Sequence, residues 1–445
     1  IAYREAAEQR ALDIHERISL LQKTIFGGDI NRIACRVTAF SLYLCILERL
    51  SPPDLARLQR DHDCKLPRLI GTNIAEGGKR GDFFSTDNPF SSAGNFDVVI
   101  SNPPWRELRA DEGATAIAWA TENRVKLPHK QMAAAFASKA CDAAKPEGRI
   151  VLILPSSLIT APTNADFLRQ YTVRVGIERM INLADFRRLL FAHAEHACTV
   201  LRAINTPGLQ DGHLVGRFEY WMPKVDISFA FNRLTLHEYD ELALPRSTLV
   251  EDNAILRRRF WGSRRDESLI QRLSQLPRVV DAIRDRGWTA AKGYHMRDGN
   301  KRVPAAPLQK YDFLPTGALN SQSPIVDIGL LQSVPVERGI ASYGNMSMYD
   351  GPRVLWSDGT STEIEIRAAY TETPFCFPSG VGGIAVPSAD RSVARLLTCY
   401  LRSSLAKYWL ILTGYSAAAE RARVTVREIK SLPFVLPGHH PDPAL

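Results

Sequence analysis

The first half of this sequence predicts an α/β fold built on a parallel, doubly wound sheet, and three observations lead there. Short apolar runs alternate with longer segments of helical period between residues 24 and 205. Two of the runs, FDVVIS and RIVLILP, are apolar nearly throughout, as strands covered on both faces are. Residue types that carry chemistry follow the runs directly, and the carboxyl ends of strands are where open parallel sheets hold ligands.

Residues 1–22, IAYREAAEQRALDIHERISLLQ, read as one helix, with Ala2, Ala6, Ile14, Ile18 and Leu21 near one face. TIFGGDIN is a short strand ending in Gly27, Gly28 and Asp29. RIACRVTAFSLYLCILERL is a strongly apolar helix stopped by Ser51, Pro52 and Pro53. LPRLIGTNI and FDVVIS follow as strands. KQMAAAFASKACDAA is a helix ended by Pro146-Glu147-Gly148, and RIVLILP is a buried strand. TNADFLRQYTV is a helix, and GIERMINLA and ACTVLRAIN are strands. Past residue 205 the pattern changes: 206–265 mixes short strands with loops and reaches the basic stretch RRRFWGSRR. From 266 onward short strands and loops dominate, with helical pieces DESLIQRLSQL and RSVARLLTCYLRSSLAKYWLIL. The expected division is a first domain over 1–205, a linker and basic segment over 206–265, and a mixed α+β domain over 266–445.

The 445 residues suffice for two or three domains, with 45% hydrophobic and 23% charged residues giving ample core. A formal net charge of +8 is compatible with a polyanionic partner. The 7 cysteines are scattered, with no C-x-x-C pair, as in a reduced, cytoplasmic protein. No apolar run approaches the roughly 20 residues that span a bilayer, and no signal peptide opens the chain. His193, His196 and Cys198 lie close together but fit no common zinc spacing, so no metal is expected. The chain opens inside a helical pattern without Met, so residues upstream are expected to be missing.

The strongest signal is FDVVISNPPW, where a strand runs into Asn102-Pro103-Pro104-Trp105. The exocyclic amine of a nucleobase is a poor nucleophile, because its lone pair is delocalised into the ring. Two acceptors aimed at its two hydrogens draw the nitrogen toward a tetrahedral form whose lone pair can attack an electrophile. The Asn102 side-chain oxygen and the Pro103 carbonyl are the candidate acceptors. Two prolines stiffen the turn, and Trp105 offers a face on which an extruded base stacks. The bland alternative is a plain proline turn after a strand.

These residues resemble the N6-adenine class of amino-DNA methyltransferases, particularly the large single-chain enzymes of type IIG restriction–modification systems. The resemblance implies a Rossmann-like, doubly wound methyltransferase sheet, incomplete at its N-terminus, followed by a mixed α+β target-recognition domain. It implies S-adenosylmethionine as cofactor and double-stranded DNA as substrate. TIFGGDIN resembles the family's second motif, so Asp29, with Ile30 beside it, is expected to bind the cofactor, Asp29 through its ribose hydroxyls. The alternative for Asp29 is a helix N-cap. GDFF, residues 81–84, resembles the third motif, which gives Asp82 the cofactor's adenine amine and Phe83 a place against its ring. KQMAAAFASKACDAAKPEGRIVLILPSSLI resembles the helix and strand after the catalytic turn, although Gln131 stands near where the family often has Asp or Asn. Phe191, in FRRLLFAHAEHACTVL, aligns with a second aromatic that clamps the flipped adenine; as a core residue it is nearly as plausible. The family's first motif, an acidic residue and a Gly-rich turn, has no match.

GWTAAKGYHMRDGN and LLTCYLRSSLAKYWLILTGY with VTVREIKSLPFVLP resemble parts of target-recognition domains. Arg257, Arg258, Arg259, Arg264 and Arg265 suit phosphate contacts, or else form a solvated linker. Two other readings stay open: a non-catalytic DNA-binding or specificity chain, and an amine methyltransferase acting on RNA or on a protein glutamine. A missing N-terminal segment, or a nuclease or defence-system subunit, is a further expected partner.

Overall fold

Caps and breakers set the first boundaries. The computed structural model describes residues 1–48, 50–60, 65–91, 94–109, 113–190, 196–207, 215–296, 303–319, 322–333, 340–359, 365–414 and 423–438. The single opening helix expected from the periodicity is two helices, α1 (Ala2–Glu8) and α2 (Ile14–Thr24). Gln9 closes α1 in the left-handed region at φ 53°, and Asp13 opens α2 through a reciprocal capping box with Glu16. Strand β1 (Gly27–Asp29) leads to α3 (Arg32–Leu47), whose cap is Asn31: its side chain accepts the Ile33 and Ala34 N–H groups at 2.9 and 3.3 Å. Pro52 and Pro53 end the preceding run but open a further helix, α4 (Pro52–Arg60), since proline is tolerated in a helix's first turn. The strand expected over LPRLIGTNI is confined to β2 (Ile74–Glu76), which begins at that segment's last residue.

The order continues with α5 (Gly78–Gly81), β3 (Phe96–Ser101), α6 (Ala114–Glu122), α7 (Met132–Ala143) and β4 (Ala144–Pro155). Then come α8 (Ser156–Thr160), α9 (Ala165–Thr172), β5 (Val175–Asn182), α10 (Arg187–Leu190) and β6 (Cys198–Asn205). After them lie β7 (Arg217–Trp221), β8 (Glu241–Pro245), α11 (Thr248–Glu251), α12 (Ile255–Trp261) and α13 (Arg264–Leu273). Strands β1 and β2 pair in parallel as a two-stranded sheet. The larger sheet has the order β3-β4-β6-β5-β7-β8, with β3–β4 and β5–β7 parallel and β7–β8 antiparallel. This is a mixed α/β architecture.

By contacts the chain divides into two compact units, one of residues 1–154, 166–178 and 201–216, the other of 155–165, 179–200 and 217–445. The two units interleave along the chain, where one division over 206–265 was expected. Residues 206–265, expected to be a linker, contain β7, β8, α11 and α12. Packing accounts for the difference: Phe218, Tyr220, Leu256 and Phe260 are all at most 2% exposed. The Tyr220 hydroxyl donates to the Leu256 carbonyl at 2.8 Å and accepts from the Asn182 amide at 3.0 Å.

In the first unit α7 is buried through a run of small side chains, Ala133, Ala134, Ala135, Ala137 and Ala140. At its C-terminal end the buried Asn205 amide donates to the carbonyls of Cys141, Ala144 and Lys145 at 2.9, 2.8 and 3.2 Å, closing the last turn of the helix. In the second unit an antiparallel sheet runs in the order Ala368–Thr371, Arg353–Ser357, Val381–Ala385, Thr289–Lys292. Its central strand is buried on both faces: Val354 and Trp356 belong to one core, Leu355 to another. Helices Arg391–Leu401 and Ser404–Thr413 pack on the first core, and the Ser403 cap breaks in two what the sequence pattern reads as one helix. Replacing Asn205 by Ala takes the donor from the carbonyls of Cys141, Ala144 and the half-buried Lys145, and urea unfolding is expected to show a loss of about 1–3 kcal/mol.

Candidate functional site

The carboxyl ends of β1, β2 and β3 carry the residues singled out from the sequence. Asp29, the last residue of β1, is exposed, and its Oδ1 accepts the Asn31 N–H at 2.7 Å. Since Asn31 caps α3, Asp29 is not the N-cap that was its alternative role. Ile30 is 59% exposed. The Gly77 N–H donates to the Asp29 carbonyl at 3.0 Å. A Cβ on Gly81 would stand 2.2 Å from that carbonyl oxygen, so only glycine lets the end of α5 come this close. Asp82 is therefore held beside the Asp29 backbone.

The Asp82 carboxylate accepts the Phe84 N–H at 3.0 Å through Oδ1 and the Thr115 hydroxyl at 2.6 Å through Oδ2. Phe83 stacks on Phe136 of α7, with centroids 5.4 Å apart, so one face of its ring is already covered. Phe84 meets Phe136 edge-on at 4.9 Å and Trp119 of α6 at 5.6 Å. These rings share a core with Leu108, Ala116 and Met132, which ties Gly81–Phe84 to the chain that follows β3.

The Asn102–Trp105 turn directly follows the last residue of β3, whose pairing with β4 runs to Ser101 opposite Leu152. Asn102 is exposed, Pro103 buried and Trp105 half-buried. Among the described residues no hydrogen bond engages the Asn102 side chain, so its amide is available. The Trp105 indole N–H donates to the Ile153 carbonyl of β4 at 3.2 Å, which fixes the ring's edge. The segment after the turn is zipped to the start of α7: Leu108 N–H to the Lys130 carbonyl at 2.7 Å, and Met132 N–H to the Arg106 carbonyl at 2.9 Å. Gln131 sits between these bonds, opposite Glu107, with its buried Oε1 unpartnered. The sequence marks Gln131 only as a departure from the family pattern, because orphaned acceptors emerge only with the fold. Phe191 and His193 lie outside the described residues.

The five arginines of the basic stretch do not form one set. Arg257 is 5% exposed and its Nη1 donates to the Thr160 carbonyl. Arg258 meets Asp252 and Glu267 at 2.6 and 2.8 Å; burial works against its charge, but the two carboxylates hold its pKa above the usual range. Both are engaged by partners inside the second unit, whereas the sequence reading had offered them for phosphate contacts. Arg259, Arg264 and Arg265 have no ion-pair partner among the described residues, and the latter two are exposed. Replacing Arg257 by Ala is expected to lower urea stability by about 1–3 kcal/mol, against about 0.5 or less for Arg264→Ala.

No curated protein matches the chain. Among solved structures, the type IIG restriction endonuclease BpuSI is 15% identical with a TM-score of 0.37, over 97% of this chain and 59% of that one. The chain thus spans less than two thirds of that protein. The type IIL restriction-modification enzyme MmeI, in complex with DNA, is 10% identical with a TM-score of 0.44, over 85% and 51%. A type I restriction-modification system methyltransferase subunit from Streptococcus thermophilus is 15% identical with a TM-score of 0.31, over 54% and 55%. In sequence, residues 23–189, which hold Asp29, Asp82 and the Asn102–Trp105 turn, match the family described as Eco57I restriction-modification methylase.

Proposed function

We propose that this chain acts as a DNA methyltransferase of the restriction–modification kind, transferring a methyl group from S-adenosylmethionine to the N6 amine of an adenine turned out of duplex DNA. The observation that carries the reading is the Asn102-Pro103-Pro104-Trp105 turn, set at the carboxyl end of β3 with the Asn102 amide unengaged. The family match over residues 23–189 supports it. On this reading the sheet is a Rossmann-like methyltransferase sheet and the second unit includes the target-recognition domain.

The residues at the ends of β1 and β2 fit S-adenosylmethionine. Asp29 offers an exposed carboxylate for ribose hydroxyls, Asp82 keeps lone pairs beyond its two bonds for the adenine amine, and the exposed Ile30 offers apolar surface. Gly81, without a Cβ, lets the backbone before Asp82 pack directly against the Asp29 carbonyl, which brings the two carboxylates to the same end of the sheet. When bound, the cofactor supplies an electrophilic methyl group. The protein's own residues do the rest: Asn102 Oδ1 and the Pro103 carbonyl accept the two amine hydrogens and draw the nitrogen toward tetrahedral geometry. Because the turn is fixed before the base arrives, no reorganisation opposes this polarisation. Trp105, held by Ile153, gives the base a face to stack on. Asn102 is exposed, so the proton released after transfer has a short route to water.

Asn102→Ala is expected to lower transfer of labelled methyl to duplex DNA by about 100-fold or more, while S-adenosylmethionine binding by calorimetry stays within about threefold. An Asn102→Ala protein with full activity overturns the assignment. With Arg259, Arg264 and Arg265 each neutralising one phosphate, DNA affinity is expected to fall about 40-fold between about 50 and 200 mM salt. The double variant Arg264→Ala, Arg265→Ala should flatten the log–log slope by about 1.8.

A further inference from the structure

A carboxylate on rotatable bonds presents its lone pairs in a fixed direction only if something holds it. At Asp82 both oxygens are held. Oδ1 accepts the N–H of Phe84 at 3.0 Å, and Oδ2 accepts the Thr115 hydroxyl at 2.6 Å. The first bond is local to the turn. The second reaches α6, 33 residues on, and is the shorter of the two. Packing decides where that hydroxyl stands. Ala116 is fully buried, and Trp119 packs on Phe84, so α6 is seated on the same turn that carries Asp82. Thr115 directly precedes Ala116 and is itself exposed. Its β-branched side chain has few rotamers in a helix, which further defines the hydroxyl. Gly113, at the cap of α6, offers no side chain, and the first turn of α6 contains no acid. The Asp82 carboxylate therefore also complements the positive end of this helix.

The placement of protons makes the bond more than a brace. An ionised carboxylate only accepts, and a threonine hydroxyl has one proton, here given to Asp82. Neither group keeps a proton for a ligand. A ligand edge that donates, such as an exocyclic amine, meets the remaining lone pairs of Asp82. A keto oxygen in the same place meets a carboxylate that does not turn away and a hydroxyl with nothing to donate. The keto form carries its own proton on the adjacent ring nitrogen, which a pinned carboxylate does not follow.

We infer that Thr115 is a positioning residue that sets selectivity for a cofactor base bearing an amine over one bearing a keto oxygen, by pinning the Asp82 carboxylate through Oδ2. The inference rests on the reading of Asp82 as the acceptor for the cofactor's adenine amine. Thr115 acts through Asp82, and its role requires no contact of its own with the cofactor.

The test is calorimetric binding of S-adenosylhomocysteine and S-inosylhomocysteine, which differ only at the purine edge that carries the amine or the keto oxygen, to the full chain and its variants. The parent chain is expected to prefer the adenosyl ligand by about 100-fold or more. Thr115→Val should weaken adenosyl binding about fivefold, the worth of one such hydrogen bond, and cut the preference about tenfold. Thr115→Ser keeps the hydroxyl and should restore both to within about twofold. Thr121→Val, on the same helix but with its hydroxyl given to the Ile117 carbonyl at 2.8 Å, should bind both ligands as the parent does. Asp82→Asn separates the inference from the reading beneath it. Loss of the preference in Asp82→Asn supports the cofactor reading. An unchanged preference in that variant overturns the reading and the inference together, as does a parent chain that binds neither ligand or both equally. Where Asp82→Asn loses the preference and Thr115→Val keeps it, the role of Thr115 is overturned and the cofactor reading stands. A serine variant that behaves like the valine variant also overturns it, since side-chain shape and not the hydroxyl is then what matters.

Discussion

The ladder between β3 and β4 is the constraint on which the candidate site rests. It holds Ser101 against Leu152 and so delivers the chain to Asn102 at a fixed place and direction. From there each support is local. Two prolines restrict the turn, the Trp105 indole reaches back to Ile153 on the same partner strand, and residues 106–108 are stitched to 130–132 at the start of α7. The candidate reactive groups thus need no lid or hinge to reach their positions, and among the described residues the Asn102 amide has no hydrogen bond of its own, whereas the Trp105 indole has one.

Several parts of this arrangement were legible in the sequence because they depend on local rules. A strand of Val and Ile ending in Asn-Pro-Pro-Trp declares both its element and its exit, since proline admits few continuations. The α3 helix was equally plain, although its cap is Asn31 and not Asp29, a choice between two acceptors two residues apart that spacing alone does not make. The two merged helices were misjudged for one shared reason. Apolar period continues through 1–22 and through 391–412, but Asp13 and Ser403 find backbone N–H groups to cap, and a cap outweighs a pattern that fits either way.

The basic stretch shows where such reading fails. Five arginines within nine residues look alike in a sequence. What separates them is the Thr160 carbonyl, 97 residues away, and the carboxylates of Asp252 and Glu267, of which only tertiary packing makes partners. The same holds for residues 206–265, whose loops and short strands suggested a connector. Their burial depends on Tyr220 finding Asn182 and Leu256, neither of them a sequence neighbour.

The second unit closes on itself across great chain distances, and that orders its birth. Asp390 receives the Arg286 guanidinium and the Trp288 indole at 2.5 and 2.8 Å, and the Trp356 indole reaches the Val424 carbonyl. Pro277 and Val279 bond to Phe434 and Leu432. On a ribosome, the residues from 277 onward therefore wait for those near 434 before their core can dry, exposing Trp288, Val354 and Trp356 meanwhile. The two-faced sheet that makes the finished unit well packed makes the nascent one sticky, and its safety during synthesis rests on the speed of elongation and on whatever chaperone shelters it.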